Sequence, residues 1–475
     1  MQKIEQWGIF ELPLKGKEER NPFVDVHLGA QFQFQNRKVE VEGFYDGDGI
    51  FKLRFMPDRV GVWSYTSQSN RKELDGVTGQ LECVPAMEGN HGPVHVKDRL
   101  HFTYEDGTPF VPFGTTCYAW THQEKELEEK TLQTLAHSPF NKLRMCVFPK
   151  HYAYNQNEPV YNPFEGSLEE GWDFSRFQPE FFRHLEERIT DLMKLGIEAD
   201  LILFHPYDRW GYSSMSKETN QRYLRYIVSR LASFRNVWWS FANEYDLMKQ
   251  FPMSDWDDYF RLVQEEDPFQ HLRSIHNCRL FYDYGRPWVT HCSIQSSDLT
   301  KVSEWLETYQ KPVIVDECRY EGNISRYWGN IAACEMVYRI WEGTVRGGYV
   351  GHGETFVDPK DILWWAKGGT LHGQSPERIS FLRGIMEEAP RDLEPVWIGK
   401  DTRAAIGKEN RYFLAYYGIS QSVYKDLCLP EGRKYKMDVI DTWNMTISPV
   451  GGIFKGNCRV TLPGKQYIAL RIREV

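Results

Sequence analysis

The chain has 475 residues, 41% of them hydrophobic and 26% charged, a composition typical of folded globular proteins. Its length favours about three domains, and no apolar run approaches the ~20 residues of a membrane-spanning helix. The 57 Lys and Arg residues against 66 Asp and Glu residues give a net charge of −9, which opposes binding to nucleic acid. The N-terminus, MQKIEQWGIF, carries charges where a secretory signal has apolar residues, so we expect a cytoplasmic protein.

The nine cysteines are scattered along the chain and include no Cys-x-x-Cys pair. This pattern predicts free thiols rather than disulfides or a zinc site. The chain also lacks the motifs of serine hydrolases, P-loop proteins, zinc proteases and dinucleotide-binding folds. We therefore expect neither a metal nor another cofactor, and the candidate chemistry rests on carboxylates at strand ends.

The first 95 residues show a β pattern without a long helical segment. Phe51, Leu53 and Phe55 alternate with other residues, and the turn sequence DGDG at 46–49 precedes them. The segment EGNHGP at 88–93 has the composition of a linker. We predict an antiparallel β-sandwich over residues 1–95.

From about residue 110 to 385, short apolar runs alternate with amphipathic stretches, as in a parallel sheet with crossover helices. The amphipathic stretches predict helices at 180–195, 218–234, 255–266 and 331–342. The apolar runs predict strands at 110–114, 142–147, 199–204, 237–241, 273–276, 289–294, 313–316 and 348–351. Eight such units in ~250 residues are typical of a (β/α)8 TIM barrel. Only residues 277–288 separate the fifth and sixth strands, which predicts a truncated fifth helix.

Beyond Pro390 the β pattern returns, with strand-like segments at 411–417, 435–441 and 467–472. The predicted fold class is therefore multidomain, α/β plus all-β. A central (β/α)8 barrel at 96–388 is flanked by an N-terminal sandwich and by a second antiparallel sandwich at 389–475.

Two of the predicted barrel strands end in a glutamate. Strand four runs into Asn243-Glu244, and strand seven runs into Asp316-Glu317. Strict alternation along strand seven places Glu317 on the face of Val315. Active sites of TIM barrels lie at the C-terminal ends of the strands, and strands four and seven lie on roughly opposite sides of the ring. Facing carboxyl groups suit a retaining glycosidase; a salt bridge at the barrel mouth is the alternative interpretation.

The sequences WSFANEYD at 239–246 and PVIVDE at 312–317 resemble the acid/base and nucleophile motifs of clan A glycoside hydrolases. WGIFELPLKG, FYDGDGIFKLRFMPD and GNHGPVHV are similar to the immunoglobulin-like domain of unknown function that precedes cellulase-like and apiosidase-like barrels. The C-terminal tail resembles the sandwich that follows those barrels. The resemblance covers essentially the whole chain, and it implies the fold more strongly than the substrate.

The resemblance implies roles for individual residues. Glu244 corresponds to the general acid/base, Glu317 to the nucleophile, and Asn243 to a partner for the sugar hydroxyl next to the anomeric carbon. Arg144, at the end of strand two, resembles the arginine beside the nucleophile; a buried ion pair is its alternative. Glu321 competes with Glu317 for the nucleophile role, and Glu317 is preferred because it directly ends the strand.

Other polar or aromatic residues at strand ends and in loops are candidates for binding substrate. Together with Arg144, Asn243 and Glu321, this set comprises Trp120, His205, His276, Gln295, His352 and Glu354. A histidine satisfied within the core is the alternative for each single His. A divalent metal held by these residues is a further alternative, which no i, i+4 histidine pair or tight carboxylate cluster in the sequence supports.

The function predicted from the sequence is that of an exo-acting retaining glycoside hydrolase without a cofactor. Its partner is an oligosaccharide or small glycoside, not nucleic acid or a membrane, and a homo-oligomer is left open. A carbohydrate-binding protein that has lost catalysis on the same barrel is one alternative. A hydrolase that uses these carboxylates around a metal is another. The sequence specifies neither the sugar nor the linkage.

Overall fold

The computed structural model describes residues 1–360, 362–400, 402 and 404–475. Strands dominate both ends of the chain, and strands alternate with helices in the middle. Within the described residues, no helix has both the length and the apolar character that crossing a membrane requires.

The N-terminal region consists of two sheets that share one core. Strands pair in the order β1-β8-β7-β3-β4 in one sheet and β2-β6-β5 in the other. Only the β1–β8 pair is parallel. Phe32 stacks on Phe55 across the two sheets with ring centroids 4.1 Å apart. The elements are β1 (Gln2–Glu5), β2 (Phe10–Lys15), α1 (Pro22–Asp25), β3 (Leu28–Phe34), β4 (Arg37–Glu42), β5 (Phe44–Tyr45), β6 (Ile50–Phe55), β7 (Gly61–Ser69) and β8 (Thr78–Val84).

A small antiparallel sheet follows, made of β9 (Val94–Lys97), β10 (His101–Tyr104) and β11 (Pro109–Phe110). Phe102 and Phe110 pack against Trp238, near the start of a central strand. The small sheet therefore covers the N-terminal end of the central region. The strand predicted at 110–114 is divided between this sheet and the next strand, because Pro112 lacks the N–H that would continue a ladder.

Eight parallel segments of the central region pair in a closed order. Hydrogen bonding joins β12-β13-β16-β17-β18 and β19-β20-β22. Single parallel bridges, His276 with Ser293 and Thr115 with His352, connect the two groups at both edges. The strands are β12 (Gly114–Thr116), β13 (Lys142–Cys146), β14 (Phe164–Ser167), β15 (Gly171–Phe177), β16 (Glu198–Phe204), β17 (Val237–Ala242), β18 (Arg273–Ser274), β19 (Cys292–Gln295), β20 (Val313–Glu317), β21 (Glu321–Gly322), β22 (Tyr349–Val350) and β23 (Glu354–Thr355).

Amphipathic helices cover the outside of this ring; Ile189 and Leu192 of the third helix, for example, are fully buried. Residues 275–291 are all described and contain no helix, where a truncated helix was predicted; Gly285 and Pro287 interrupt this segment. The helices are α2 (Lys125–Ala136), α3 (Pro179–Lys194), α4 (Lys217–Leu231), α5 (Met253–Glu266), α6 (Val302–Tyr309), α7 (Ala333–Thr344), α8 (Trp364–Lys367) and α9 (Ser375–Glu388).

Four buried charges fill the interior of the ring below the strand ends. The Lys142 ammonium lies 2.5 Å from Asp200 and 3.0 Å from Asp316. The Arg144 guanidinium lies 3.5 Å from Asp200 and 4.0 Å from Asp316. The two positive and two negative charges balance, and this pairing offsets the cost of removing each charge from water.

A register shift near the end of β20 changes the direction of its last side chains. Ile294 pairs with Val315, but the next residue, Gln295, pairs with Glu317. This irregularity lets both Asp316 and Glu317 reach the interior of the ring, whereas strict alternation would place Glu317 with Val315. The predicted shared face of Val315 and Glu317 is therefore wrong.

The C-terminal region is antiparallel. A sheet with the order β24-β25-β26-β31-β28-β29 shares its core with the β27–β30 pair. Phe413, Val460 and Leu470 are buried in that core. The strands are β24 (Glu394–Pro395), β25 (Ala405–Lys408), β26 (Tyr412–Tyr416), β27 (Tyr424–Cys428), β28 (Tyr435–Asp441), β29 (Thr446–Phe454), β30 (Asn457–Thr461) and β31 (Ile468–Glu474).

Candidate active site

A cavity of about 440 Å³ opens at the C-terminal ends of the ring strands. Most of its walls come from polar and aromatic residues at the strand ends or in the loops that follow them. The lining residues are Tyr118, Lys150, Tyr152, Tyr207, Asn243, Glu244, Cys278, Gln295, Ser296, Ser297, Glu317, Arg319, Tyr320, Tyr327, Trp328 and Trp365.

Glu317 ends β20 with its side chain 13% exposed. The Tyr118 hydroxyl donates to its Oε1, and the His276 Nε2 lies 3.6 Å from the same oxygen. Burial alone would raise the pKa of Glu317, but His276, Tyr118 and the Lys150 charge outweigh it and lower the pKa to about 2. Glu317 is therefore ionised at neutral pH.

Glu244 follows β17 in a left-handed conformation, with φ 53° and ψ 53°. Such a backbone is strained for a residue with a side chain, and tertiary contacts have to maintain it. The neighbouring amides are held by bonds from Asn243 N to the Phe204 carbonyl and from Tyr245 N to the His276 carbonyl, both 3.0 Å. The Tyr207 hydroxyl donates to the Glu244 carboxylate. These contacts fix the position of the carboxyl group.

The side chain of Gln295 lies between the two glutamates. With its amide oriented so that the nitrogen faces acceptors, Nε2 is 3.2 Å from Oε2 of Glu317 and 3.3 Å from Oε1 of Glu244. Both carboxylates therefore face a common point in the cavity.

Asn243 connects the cavity to the charges below it. Its Oδ1 accepts from Nη2 of Arg144 at 3.2 Å, and Arg144 also donates to Ser240 Oγ at 3.0 Å. Arg144 is 1% exposed, so it acts from beneath the cavity wall. Oδ1 is already bonded and Nδ2 donates to Oε2 of Glu244 at 3.5 Å, so the second N–H of the Asn243 amide is the donor that remains for a ligand.

Lys150 is a buried cation at the edge of the cavity, 1% exposed. Its ammonium lies 3.4 Å from the ring centroid of Tyr118, 4.4 Å from that of Tyr207 and 4.6 Å from that of Tyr152. Burial lowers the pKa of Lys150, although the charges of Cys146, Glu244 and Glu317 act in the opposite direction. Among the described residues, no carboxylate forms an ion pair with it.

The structure brings together only part of the predicted site. Glu244, Glu317, Asn243 and Gln295 line the cavity. Arg144 and His276 do not line it and lie behind Asn243 and Glu317.

Five predicted substrate-binding residues lie away from the cavity wall. Trp120 is fully buried, with its Nε1 directed to the Met145 sulfur, and His205 bonds to the Phe148 carbonyl. The others, Glu321, His352 and Glu354, form a separate buried group. Residues near a strand end can thus face the core as readily as the cavity, and the predicted contacts of these five with substrate are not supported.

The sequence analysis did not identify most of the residues that line the cavity wall. Tyr118, Lys150 and Tyr207 follow β12, β13 and β16 by two to four residues. The available signal in the sequence was the polar or aromatic residues in the loops after the first three strands of the ring.

Comparison with known families and structures supports this architecture. The family model "Apiosidase-like, catalytic domain" matches residues 96–356. Two domains of unknown function flank it, DUF5060 at residues 3–70 and DUF5605 at 401–473. No curated protein matches the chain.

A crystal structure from Bacteroides vulgatus ATCC 8482, described as a "putative glycoside hydrolase", is 41% identical over the full length of both chains, with a TM-score of 0.96. A glycoside hydrolase family 5 structure from the same organism is 15% identical, covering 81% of this chain and 94% of its own, with a TM-score of 0.61. Another structure, described as a glycoside hydrolase, is 15% identical over 81% of this chain and 97% of its own, with a TM-score of 0.62. At that identity the latter two show a shared fold alone. Since the family model matches more than half of the sequence, the chain belongs to the apiosidase-like family.

Proposed function

We propose that the protein is a retaining glycoside hydrolase of clan A, with Glu244 as general acid/base and Glu317 as nucleophile. Membership of the apiosidase-like family and the 41% identical relative support the reaction class. We further propose that the closed strand ring is a (β/α)8 barrel spanning 96–388. Residues 1–95 and 389–475 would be its two sandwich domains, the first of them immunoglobulin-like.

The observation that carries the proposal is the position of Gln295 between the carboxyl groups. Its nitrogen lies 3.2 Å from one carboxylate oxygen and 3.3 Å from the other, so those oxygens are separated by at most the sum of the two distances. This limit on one pair of oxygens accommodates the ~5–5.5 Å between the carboxyl groups of retaining enzymes.

The surroundings of Glu317 support its role as the nucleophile. A nucleophilic carboxylate has to be ionised, and the low pKa of Glu317 meets that condition throughout the neutral range. Glu244 then has to supply the proton to the leaving oxygen. The hydrogen bond from Tyr207 holds the Glu244 carboxyl group at the wall of the same cavity.

The proposed reaction proceeds in two displacements. A carboxylate oxygen of Glu317 attacks the anomeric carbon while the bond to the leaving oxygen breaks, and that oxygen takes the proton of Glu244. Water then gives a proton to Glu244 and attacks the same carbon, which releases Glu317 as a carboxylate. The protein needs no cofactor for either step.

The cavity suits the terminal sugar of an oligosaccharide or a small glycoside. Its volume of about 440 Å³ lies within the ~300–1,000 Å³ of small-ligand sites. Tyr152, Trp328 and Trp365 present rings on which a sugar face can pack. We propose exo action on small substrates in the cytoplasm.

The test is hydrolysis of a panel of aryl glycosides and oligosaccharides by the wild type, followed by NMR of the first-formed anomer. We expect cleavage of at least one member with retention of configuration. Glu317→Ala and Glu244→Ala should lose at least ~10³-fold in kcat. With azide, the Glu317→Ala variant should form a glycosyl azide of inverted configuration and the Glu244→Ala variant one of retained configuration.

Glu321→Gln is the matched control, because Glu321 is the competing glutamate on the adjacent segment and lies outside the cavity. It should retain the chemical step if it folds. Inverted product, or azide rescue of Glu321→Ala instead of Glu317→Ala, would contradict the assignment. Sugar binding without turnover across the panel would favour the carbohydrate-binding alternative.

A further inference from the structure

Glu321, His352 and Glu354 form a buried group outside the cavity. One potential ligand atom from each residue lies within 4.8 Å of the others. The three side chains are 2%, 1% and 0% exposed, respectively. None of them lines the cavity that contains Glu244 and Glu317.

The two glutamates are neighbours in a parallel ladder. Glu321 of β21 pairs in register with Glu354 of β23. Two carboxylates at such a position repel each other, and burial strengthens the repulsion. His352 precedes Glu354 by two residues, the spacing that places side chains on the same face of an extended segment.

Both carboxylate groups are fixed by the loop before α9. His372 N and Gly373 N donate to Glu354 at 2.6 and 2.8 Å. Gln374 N and Ser375 N donate to Glu321 at 2.8 and 3.0 Å. A Cβ at position 373 would lie 2.6 Å from one oxygen of each glutamate, so the two carboxylates converge on the same small space.

One other buried carboxylate pair in this protein is matched by cations. Asp200 and Asp316 are matched by Lys142 and Arg144. By contrast, no Lys or Arg of the described residues forms an ion pair with Glu321 or Glu354. The pair therefore has four backbone N–H donors but no cationic side chain to offset the negative charge of two buried carboxylates.

His352 gives an independent indication that a ligand binds at this group of residues. His352 Nδ1 contacts Thr115 Oγ1 at 2.9 Å, and the ring stacks on Phe140 with centroids 4.7 Å apart. Its Nε2 is buried and has no hydrogen-bond partner in the described part of the chain. A buried imidazole nitrogen fixed through its other nitrogen is the usual arrangement of a metal-binding histidine.

We propose that Glu321, His352 and Glu354 bind a divalent first-row transition-metal ion, such as Zn²⁺ or Mn²⁺. One imidazole nitrogen with two carboxylates suits these ions better than Ca²⁺ or Mg²⁺, which prefer oxygen ligands alone. The ion supplies positive charge and connects β21 to the segment of His352 and to β23. The role is structural, because the site is buried and separate from the proposed catalytic glutamates.

The test is metal analysis of the purified full-length chain, without an affinity tag. The protein is produced with Zn²⁺ and Mn²⁺ in the medium, dialysed into metal-free buffer and analysed by mass spectrometry. We expect about one equivalent of one of these ions per chain. Treatment with a chelator should lower the melting temperature, and readdition of the ion should restore it.

Glu354→Gln and His352→Phe should each abolish stoichiometric binding, the second without changing a carboxylate and with a ring retained against Phe140. Glu198→Gln, at another buried glutamate, should leave the metal content unchanged. Absence of metal in the wild type, with a melting temperature insensitive to chelator, Zn²⁺ and Mn²⁺, would overturn the proposal and indicate a proton shared by the glutamates. Unchanged metal content in both ligand variants would also overturn it.

Discussion

The Tyr118 hydroxyl donates a hydrogen bond to Oε1 of Glu317. The same hydroxyl lies 3.0 Å from Oδ1 of Asn243, and the Tyr118 ring covers the ammonium of Lys150. One side chain, two residues beyond the end of β12, thus contacts the proposed nucleophile, the proposed hydroxyl-binding amide and the buried cation. Because a donor to a carboxylate stabilises its ionised form, Tyr118 contributes to the low pKa of Glu317.

Tyr118→Phe should lower kcat/KM and shift the acidic limb of the profile of kcat/KM against pH to higher pH. Loss of a hydrogen bond to a charged group costs about 1.5–3 kcal/mol, which corresponds to a ~10–100-fold decrease in kcat/KM. The pKa of Glu317 rises when the donor is removed, so protonation inactivates the nucleophile at a higher pH. The measurement is kcat/KM against pH for the best substrate of the panel.

Tyr152→Phe is the matched control, since Tyr152 lines the same cavity but its buried hydroxyl has no hydrogen-bond partner in the described residues. It should leave the acid limb in place. An equal shift of the limb in both variants would show that the Tyr118 hydroxyl has no specific effect on Glu317.

Lys150→Met should lower activity and raise stability near neutral pH. Removal of the ammonium takes a positive charge from the neighbourhood of Glu317, and we expect kcat/KM to fall ~10-fold. Burial lowers the pKa of Lys150, so the folded chain loses this proton at a lower pH than the unfolded chain, whose lysine has a pKa of 10.5. Between these two pKa values the unfolded chain binds more protons, and the stability of the fold rises with pH. The wild type should therefore gain stability towards pH 10.5, and the variant should lack that gain. Kinetics and urea unfolding at several pH values test both effects.

Lys217→Met serves as the comparison, because Lys217 is partly exposed and pairs with Asp255 and Asp258 on α5. We expect unchanged activity and no increase in stability. A Lys150→Met variant that loses stability at pH 7 would contradict the unfavourable burial of its charge.

The sequence was most informative where a residue type and a strand end coincide. Glu244 and Glu317 were selected because each follows an apolar run, and both line the same cavity. Helix periodicity was equally direct: the predicted helix at 180–195 corresponds to Pro179–Lys194. These features depend on local patterns of a few residues, which a single sequence contains.

The remaining features depend on long-range geometry. The β20 irregularity that redirects Glu317 arises from pairing with β19, and no local pattern marks it. Trp120 and His205 follow strands as Tyr118 and Tyr207 do, yet they face the core. The contact of Glu321 with Glu354 joins positions on separate segments through strand pairing. Neither periodicity nor residue type predicts which side of a loop faces a cavity.

Buried histidines should make the fold sensitive to acid. Burial lowers the pKa of His291 to about 4 and that of His122 to about 3, against 6.5 for an ordinary histidine. Below pH 6.5 the unfolded chain binds protons that the folded chain excludes, so stability falls as the pH drops towards 4. Each histidine contributes up to ~3 kcal/mol to this loss, at about 1.4 kcal/mol per pKa unit. Urea unfolding between pH 7 and 4 should show a shallower decline for His291→Asn; an unchanged slope would exclude His291 as a source.

A buried ion-pair group attaches the N-terminal region to the ring helices. Arg54 of β6 donates to Glu186 of α3 at 2.9 Å and to the Arg230 carbonyl at 2.7 Å. Arg230 of α4 donates in turn to Asp46 at 2.8 Å. Arg54→Met leaves Glu186 with one cation fewer, and breaking a buried pair in this way costs about 3–5 kcal/mol. We expect a lower melting temperature by calorimetry and earlier proteolysis between the N-terminal region and the ring.

Arg37→Met, on β4 of the other N-terminal sheet, provides the control. Arg37 pairs with Asp58 at 2.6 Å, but its side chain is 48% exposed. Exposed pairs contribute only about 0–1 kcal/mol, because water screens the charges. We therefore expect the Arg37 variant to melt within a degree or two of the wild type. Equal destabilisation by the two substitutions would mean that the Arg54 contacts do not hold the N-terminal region to the ring.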